Sequence, residues 1–159
     1  MVAACRLFTT LHQKYKMKLT YTLTALFMSV LTFAQCSECK SVAEAEKEPA
    51  KVISLKMNSY MSDEAFEEFP PVIFSFVNIE ELYLTDFEFT EIPAAIGKLT
   101  KLKTLSFAGN SLEKLPEEIF ELKNLKELLL NNNEFSDEYK AYIKKTAKEK
   151  LPNTKLMIN

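Results

Sequence analysis

The C-terminal part of this sequence repeats its apolar residues every 23 positions. Leu105 lies 23 residues after Leu82 and 23 before Leu128, and Pro93 is followed at the same distance by Pro116. The same offset aligns Ile79, Leu102 and Leu125, then Leu84, Phe107 and Leu130, and then Phe89, Leu112 and Phe135. A repeat length in the twenties is typical of a solenoid, in which each repeat forms one coil and stacks on the next.

The spacing within one repeat predicts the structure of each coil. The alternation in Leu105-Ser106-Phe107 is typical of a short strand in which every second side chain points inward. Leu112 and Ile119 then fill the interior from the opposite wall of the same coil. Equivalent strands of successive coils pair side by side as a parallel sheet. The predicted strands lie at residues 53–57, 80–84, 103–107, 126–130 and 154–158.

The segment LKTLSFAGNSLEKLPEEIFEL, residues 102–122, resembles the leucine-rich repeat in its 23-residue form. The resemblance covers about residues 52 to 159. Within the family, the sequence is most like the small, bacterial-style exported members. It implies an α/β solenoid: an arc with a short parallel β-sheet on its concave face, closed by a C-terminal capping helix and strand. Ser136 or Asp137 is placed to cap that helix.

Asparagines in the turn after the strand are the second regular feature. Asn110 and Asn133 occupy equivalent positions, and each side-chain amide can pair with backbone groups that the turn would otherwise bury unpaired. Phe87 and Tyr60 stand in the corresponding places of the two earlier coils. We therefore expect a structural asparagine ladder in the later coils and different turns in the earlier ones. The first coil also carries a four-residue insertion within residues 58–68.

The N-terminal residues predict export. From Met17 the chain reads MKLTYTLTALFMSVLTFAQC, a lysine followed by a brief apolar stretch and a small-residue exit, which is typical of a secretory signal. We expect translation from Met17, cleavage near Ala34 and a secreted, periplasmic or cell-envelope product; a retained membrane anchor is the alternative. The predicted organisation is an N-terminal extension with signal peptide at 1–34, a flexible linker at 35–50 and the leucine-rich repeat domain at 51–159.

The composition of the mature chain narrows its chemistry. Beyond residue 34 the sequence contains no histidine, arginine or tryptophan, so the commonest general base and the bidentate phosphate ligand are missing. It carries 16 lysines against 22 acids, a net charge of −6, which disfavours binding to nucleic acid. We expect a protein that is not an enzyme, holds no cofactor or metal, and has no membrane span in its mature form.

Cys36 and Cys39 form a C-x-x-C pair directly after the predicted cleavage point. A tetrahedral zinc site needs four ligands, and the mature chain offers only these two sulfurs and no imidazole. The open alternatives are a local disulfide between Cys36 and Cys39, two uninvolved thiols, and a lipid anchor at Cys36. The lipid anchor fits poorly because Gln35 precedes the cysteine.

The strand alternation also predicts a binding face. If the leucines of each strand point inward, the residues between them point out from the concave sheet. This predicted partner-binding set is Lys56, Glu81, Tyr83, Thr85, Thr104, Ser106, Ala108, Glu127, Leu129 and Asn131. An exposed tyrosine and leucine beside small residues resemble a protein-binding hot spot. The alternative is that Tyr83 and Leu129 only cover their neighbours.

The function that the resemblance implies is protein–protein interaction in the cell envelope or outside the cell, without catalysis. Two alternatives stay open: an accessory domain of an enzyme system, and a structural envelope protein that assembles by stacking its end coils. Residues 57–97 hold nine acids and no lysine. This acidic region would attract a basic partner to the early coils. The alternative is that the acids are simply solvated surface residues.

Overall fold

The computed structural model describes residues 37–62, 66 and 68–159. These residues form one six-stranded parallel sheet whose strands follow the chain order. The strands are β1 (Glu38–Cys39), β2 (Ser54–Asn58), β3 (Glu81–Thr85), β4 (Thr104–Ser106), β5 (Glu127–Leu129) and β6 (Lys155–Met157). The predicted solenoid is therefore confirmed, with all five predicted strands within about one residue of their expected bounds. The predicted signal segment and Cys36 lie outside the described residues.

The wall opposite the sheet is built from short 3₁₀ helices, one in each central coil. They span Pro71–Ser75, Ala94–Lys98 and Glu117–Glu121. A proline stands directly before each of them, at positions 70, 93 and 116. Proline suits the start of a helical turn because its fixed φ is already helical and its missing N–H has no partner there. The repeated proline therefore marks where each coil turns along the convex wall.

The core lies between the sheet and this wall. Leu82, Leu105 and Leu128 of successive strands are 0% exposed, as are Ile96 and Ile119 of the facing 3₁₀ helices. Each coil contributes only one layer of these side chains, so no coil can enclose a core by itself. Stacking on neighbouring coils is what removes the apolar surface from water.

A repeated backbone contact joins each coil to the next. The carbonyl of Ile53 accepts hydrogen bonds from the N–H groups of Glu80 and Glu81, at 2.7 and 3.1 Å. In the following coils, the carbonyls of Glu80 and Lys103 each accept two equivalent hydrogen bonds from the N–H groups at the start of the next strand. Since the donors lie just before or at the start of a strand, this contact fixes the register of the whole sheet.

The prediction of a flexible linker at 35–50 is wrong for the described residues 37–50. The carbonyl of Ser37 accepts bonds from the N–H groups of residues 53 and 54, so the coil contact continues to this end. After β1, Ser41 caps the short helix α1 (Val42–Ala45) by accepting from the Glu44 N–H at 3.1 Å. The side chains at 39, 42 and 45 are buried in the core. This segment, with the 3₁₀ helix Pro49–Lys51, caps the exposed end of the first coil.

The C-terminal end is closed by helix α2 (Asp137–Lys150) and by β6, as the resemblance implies. Ser136 is the N-cap, and its hydroxyl accepts a hydrogen bond from the Tyr139 N–H at 3.2 Å. Ile143 and Ala147 are buried against the last coil. The helix thus shields the last layer of the core.

Candidate interaction face

The sheet places five outward-pointing residues in register, one from each of the strands β2 to β6. This central row consists of Lys56, Tyr83, Ser106, Leu129 and Met157. The backbone alternation that buries the leucines therefore gathers these side chains on the concave face, the side of the sheet away from the core. Tyr83, Leu129 and Met157 are half-buried, which leaves part of each apolar side chain in contact with water.

Ser106 does not reach the surface, and its prediction as a partner-contacting residue is wrong. It is 1% exposed although its strand position points away from the core. Its neighbours in register are Tyr83 on one side and Leu129 on the other, both much larger. We attribute the burial of Ser106 to these two larger side chains on either side of it.

Lys56 holds a fixed position at the N-terminal end of the central row. Its Nζ lies 2.7 Å from Glu81 Oε2 and 5.4 Å from the centre of the Tyr83 ring. The hydrogen bond with Glu81 raises the pKa of Lys56, and the same bond lowers the pKa of Glu81. Ser54 supports the carboxylate by donating to it at 3.1 Å. The Lys56 side chain nevertheless remains 52% exposed, so it is oriented and still accessible.

Two flanking rows complete the predicted face. Glu81, Thr104 and Glu127 are in register on one side, and Lys155 ends that row 3.7 Å from Glu127 Oε1. The row on the other side comprises Thr85, Ala108 and Asn131. All six predicted flanking residues are half-buried. The structure therefore brings the predicted set together on one face, and its role in partner binding stays a prediction.

The asparagine side chains hold the turns that border this face. Asn110 is 5% exposed; its Oδ1 accepts from the N–H groups of Phe87 and Phe89, at 3.2 and 3.1 Å. Its Nδ2 donates to the carbonyls of Leu84 and Phe107, at 2.9 and 3.0 Å. The side chain therefore bridges two coils and satisfies four buried backbone groups.

Asn133 repeats this arrangement with fewer buried partners. Its Oδ1 accepts from the Leu112 N–H at 3.1 Å, and its Nδ2 donates to the carbonyls of Phe107 and Leu130, both at 2.9 Å. The Phe107 carbonyl thus accepts from both asparagines, which links the two turns. Asn133 itself is half-buried rather than buried.

The earlier turn differs, as the phenylalanine at position 87 predicts. Glu88 has a positive φ of 62°, unlike its equivalents Ser111 and Glu134, whereas the positive φ of Asp86, 61°, recurs at Gly109 and Asn132 in the next two coils. The Phe87 side chain is buried and stacks on Phe89, with ring centres 5.4 Å apart. A buried aromatic ring thus occupies the position that the side-chain amide has in the later coils.

Sequence reasoning missed a hollow at the N-terminal end of the concave face, where β2 and β3 end. This N-terminal hollow has a volume of about 380 Å³ and is lined by Lys40, Lys56, Met57, Asn58, Met61, Ser62, Tyr83 and Thr85. Tyr60 and Met61 beside it are 86% and 90% exposed. The four-residue insertion within residues 58–68 was the only sequence signal for an irregular feature here.

Cys39 is disulfide-bonded. The predicted partner, Cys36, lies outside the described residues, so the Cys36–Cys39 pairing stays a prediction, and so does a lipid anchor at Cys36. Within the described ranges no group of three or more histidine, cysteine, aspartate or glutamate side chains is placed to hold a metal ion. None of the helices in those ranges has the length and apolar character needed to cross a membrane.

Comparisons with known proteins agree with this architecture. Residues 77–135 match the family model for the leucine-rich repeat. The solved structure of a leucine-rich repeat protein of Leptospira interrogans is similar over 74% of this chain, with 28% identity and a TM-score of 0.56. The similar region spans only 28% of that larger chain. A search of curated proteins returned no match.

Proposed function

We propose that this chain, a leucine-rich repeat protein, binds a protein partner on its concave face and does so without catalysis. One observation carries the proposal: Tyr83 and Leu129 are partly exposed, in register on the two strands that flank Ser106, on the face that the core does not use. Aromatic and aliphatic side chains on a rigid sheet lose little conformational entropy when they are covered by a partner. The leucine-rich repeat fold supports protein interaction in general, and the choice of this face is the proposed part.

The place of action that we propose is the cell envelope or the exterior. The support is the sequence from Met17 to Ala34, with its lysine and apolar stretch. Intact mass of the protein purified from its native cells tests this point. We expect a mature chain beginning near Gln35, whereas a cytosolic protein that retains Met17 would overturn the location without affecting the binding face.

The binding face is tested by capture of the partner with purified variants. Leu129→Glu introduces a charge into the central row, and Val77→Glu introduces the same charge at a residue that follows the convex 3₁₀ helix and is 54% exposed. We expect Leu129→Glu to weaken capture at least tenfold, because it places a carboxylate in a surface that the partner must desolvate. Val77→Glu should capture as the parent does.

Thermal unfolding of both variants establishes that each is folded before its binding is compared. Loss of capture with Val77→Glu and retention with Leu129→Glu would place the interface on the convex side and overturn the proposal. Recovery of nothing but copies of this chain, in amounts that both variants leave unchanged, would instead favour the structural alternative.

A further inference from the structure

The N-terminal hollow differs in charge from most of the surface around it. The mature chain carries a net charge of −6, yet the residues lining the hollow include two lysines and no acid. In the described part of the chain no ion pair includes the Lys40 ammonium. Two carboxylates adjoin the hollow, and both are engaged: Glu81 pairs with Lys56 at 2.7 Å, and Asp86 accepts a hydrogen bond from the Asn58 side-chain amide. Lys40 therefore carries the charge among the lining residues that no described ion pair offsets.

Lys56 is arranged to bind an anion at the edge of the hollow. Glu81 and the Tyr83 ring orient its ammonium, as described above, and leave the Lys56 side chain half-exposed. An ammonium has three N–H donors, so the bond to Glu81 leaves donors for a second carboxylate. Because the side chain is already oriented, binding costs less conformational entropy than it would at a mobile lysine.

The wall beside these cations is apolar and unusually exposed. Met61 is 90% exposed, and its backbone N–H donates to the Asn58 carbonyl at 3.0 Å. The Asn58 side chain joins this turn to the next coil, donating to Thr85 Oγ1 at 3.0 Å and accepting from the Tyr60 N–H at 2.9 Å. A methionine on a fixed turn can adapt its side chain to an apolar group of varied shape.

We propose that the N-terminal hollow binds an acidic and apolar segment of the protein partner, in which a glutamate or aspartate side chain neighbours a large aliphatic or aromatic residue. The carboxylate bonds to Lys56 and Lys40, and the apolar side chain packs against Met61 and Tyr83. A basic segment is disfavoured, since it would meet the Lys40 ammonium, whose charge no described ion pair offsets. This inference rests on the proposed function and adds the chemistry of the segment that the partner presents.

The test is a titration followed by NMR amide shifts of the isotopically labelled mature protein. The probe is a peptide with blocked ends, Gly-Ser-Glu-Leu-Glu-Phe-Ser-Gly, added to millimolar concentration; its counterpart carries lysine in place of both glutamates. We expect the acidic peptide to shift the amides of residues around Lys56, Met61 and Tyr83, and the basic peptide to shift none of them. Shifts with the basic peptide, shifts confined to other surfaces, or no shift with either peptide would overturn the proposal.

Matched variants separate a specific contact with Lys56 from a general effect of charge. Lys56→Gln should weaken the acidic peptide about tenfold, because one charge-assisted bond is lost. The control is Lys126→Gln, which removes another exposed lysine that lies away from the hollow. It should leave the affinity for the acidic peptide unchanged. Equal weakening by both variants would mean a non-specific charge effect and would contradict the proposal.

Failure of this inference is distinguishable from failure of the proposed function. In the capture assay, Leu129→Glu tests the concave face outside the hollow, and Lys40→Gln combined with Met61→Ser tests the hollow alone. If only Leu129→Glu weakens capture, the partner uses the concave face and not the hollow. If neither change weakens capture, both proposals are wrong.

Discussion

Replacing Asn110 by alanine tests the account of how the turns are held. The change leaves the N–H groups of Phe87 and Phe89 without the oxygen that accepts from them at 3.2 and 3.1 Å. An unsatisfied buried donor costs about 1–3 kcal/mol, so two of them lower the free energy of unfolding by about 2–6 kcal/mol. The carbonyls of Leu84 and Phe107 lose a donor as well. We therefore expect the loss of unfolding free energy to lie above the lower limit of this range.

Asn133→Ala is the matched comparison, because it removes the same side chain one coil later. Only the Leu112 N–H loses its acceptor there, and Asn133 is half-buried, so the expected loss is about 1–2 kcal/mol. Urea unfolding followed by circular dichroism gives both values, provided that the m-values stay equal. A loss below about 1 kcal/mol for Asn110→Ala, or a loss no greater than that for Asn133→Ala, would refute this reasoning.

Three further predictions concern the core, a turn and an ion pair. Leu105→Ala should cost about 2–5 kcal/mol, because it opens a cavity in a middle coil, and a loss under about 0.5 kcal/mol in urea unfolding would mean that the inward face is misassigned. Gly109→Ala should cost about 1–3 kcal/mol, since φ is +71° and a Cβ would collide with the Asp86 carboxylate; an unchanged midpoint would contradict this. Glu81→Gln should cost less than about 1 kcal/mol because the pair with Lys56 is exposed. That loss should be present at pH 7 and disappear as the pH falls below the lowered pKa of Glu81, so an equal loss at pH 7 and pH 3 would exclude the ion pair as its cause.

The sequence predicts the central coils well because one short pattern determines them. The 23-residue spacing assigns every buried leucine of the middle strands, and the alternation within each strand identifies which residues share a face. Exposure does not follow from alternation alone. Ser106 points away from the core and is still buried, since exposure also depends on the size of the neighbours across the sheet.

The ends of the sheet are harder to predict because they do not repeat. The N-terminal cap uses a two-residue strand and a four-residue helix, too short for any periodic pattern, and only Cys39, Val42 and Ala45 are buried there. Its mixture of small and charged residues is similar to that of a linker. The N-terminal hollow was missed for a related reason. Lys40 and Met61 line it together but are distant in sequence, and Met61 lies in the segment with the insertion, which does not follow the 23-residue repeat.

Site-specific photocrosslinking in the native cells tests the central claim, that a partner binds the concave face. A benzophenone amino acid replaces Tyr83 in one variant and Val77, which follows the convex 3₁₀ helix, in another. We expect one protein to be crosslinked from position 83, and the same adduct to disappear when Leu129→Glu is added. Crosslinking of a partner from position 77 with none from position 83 would contradict the account.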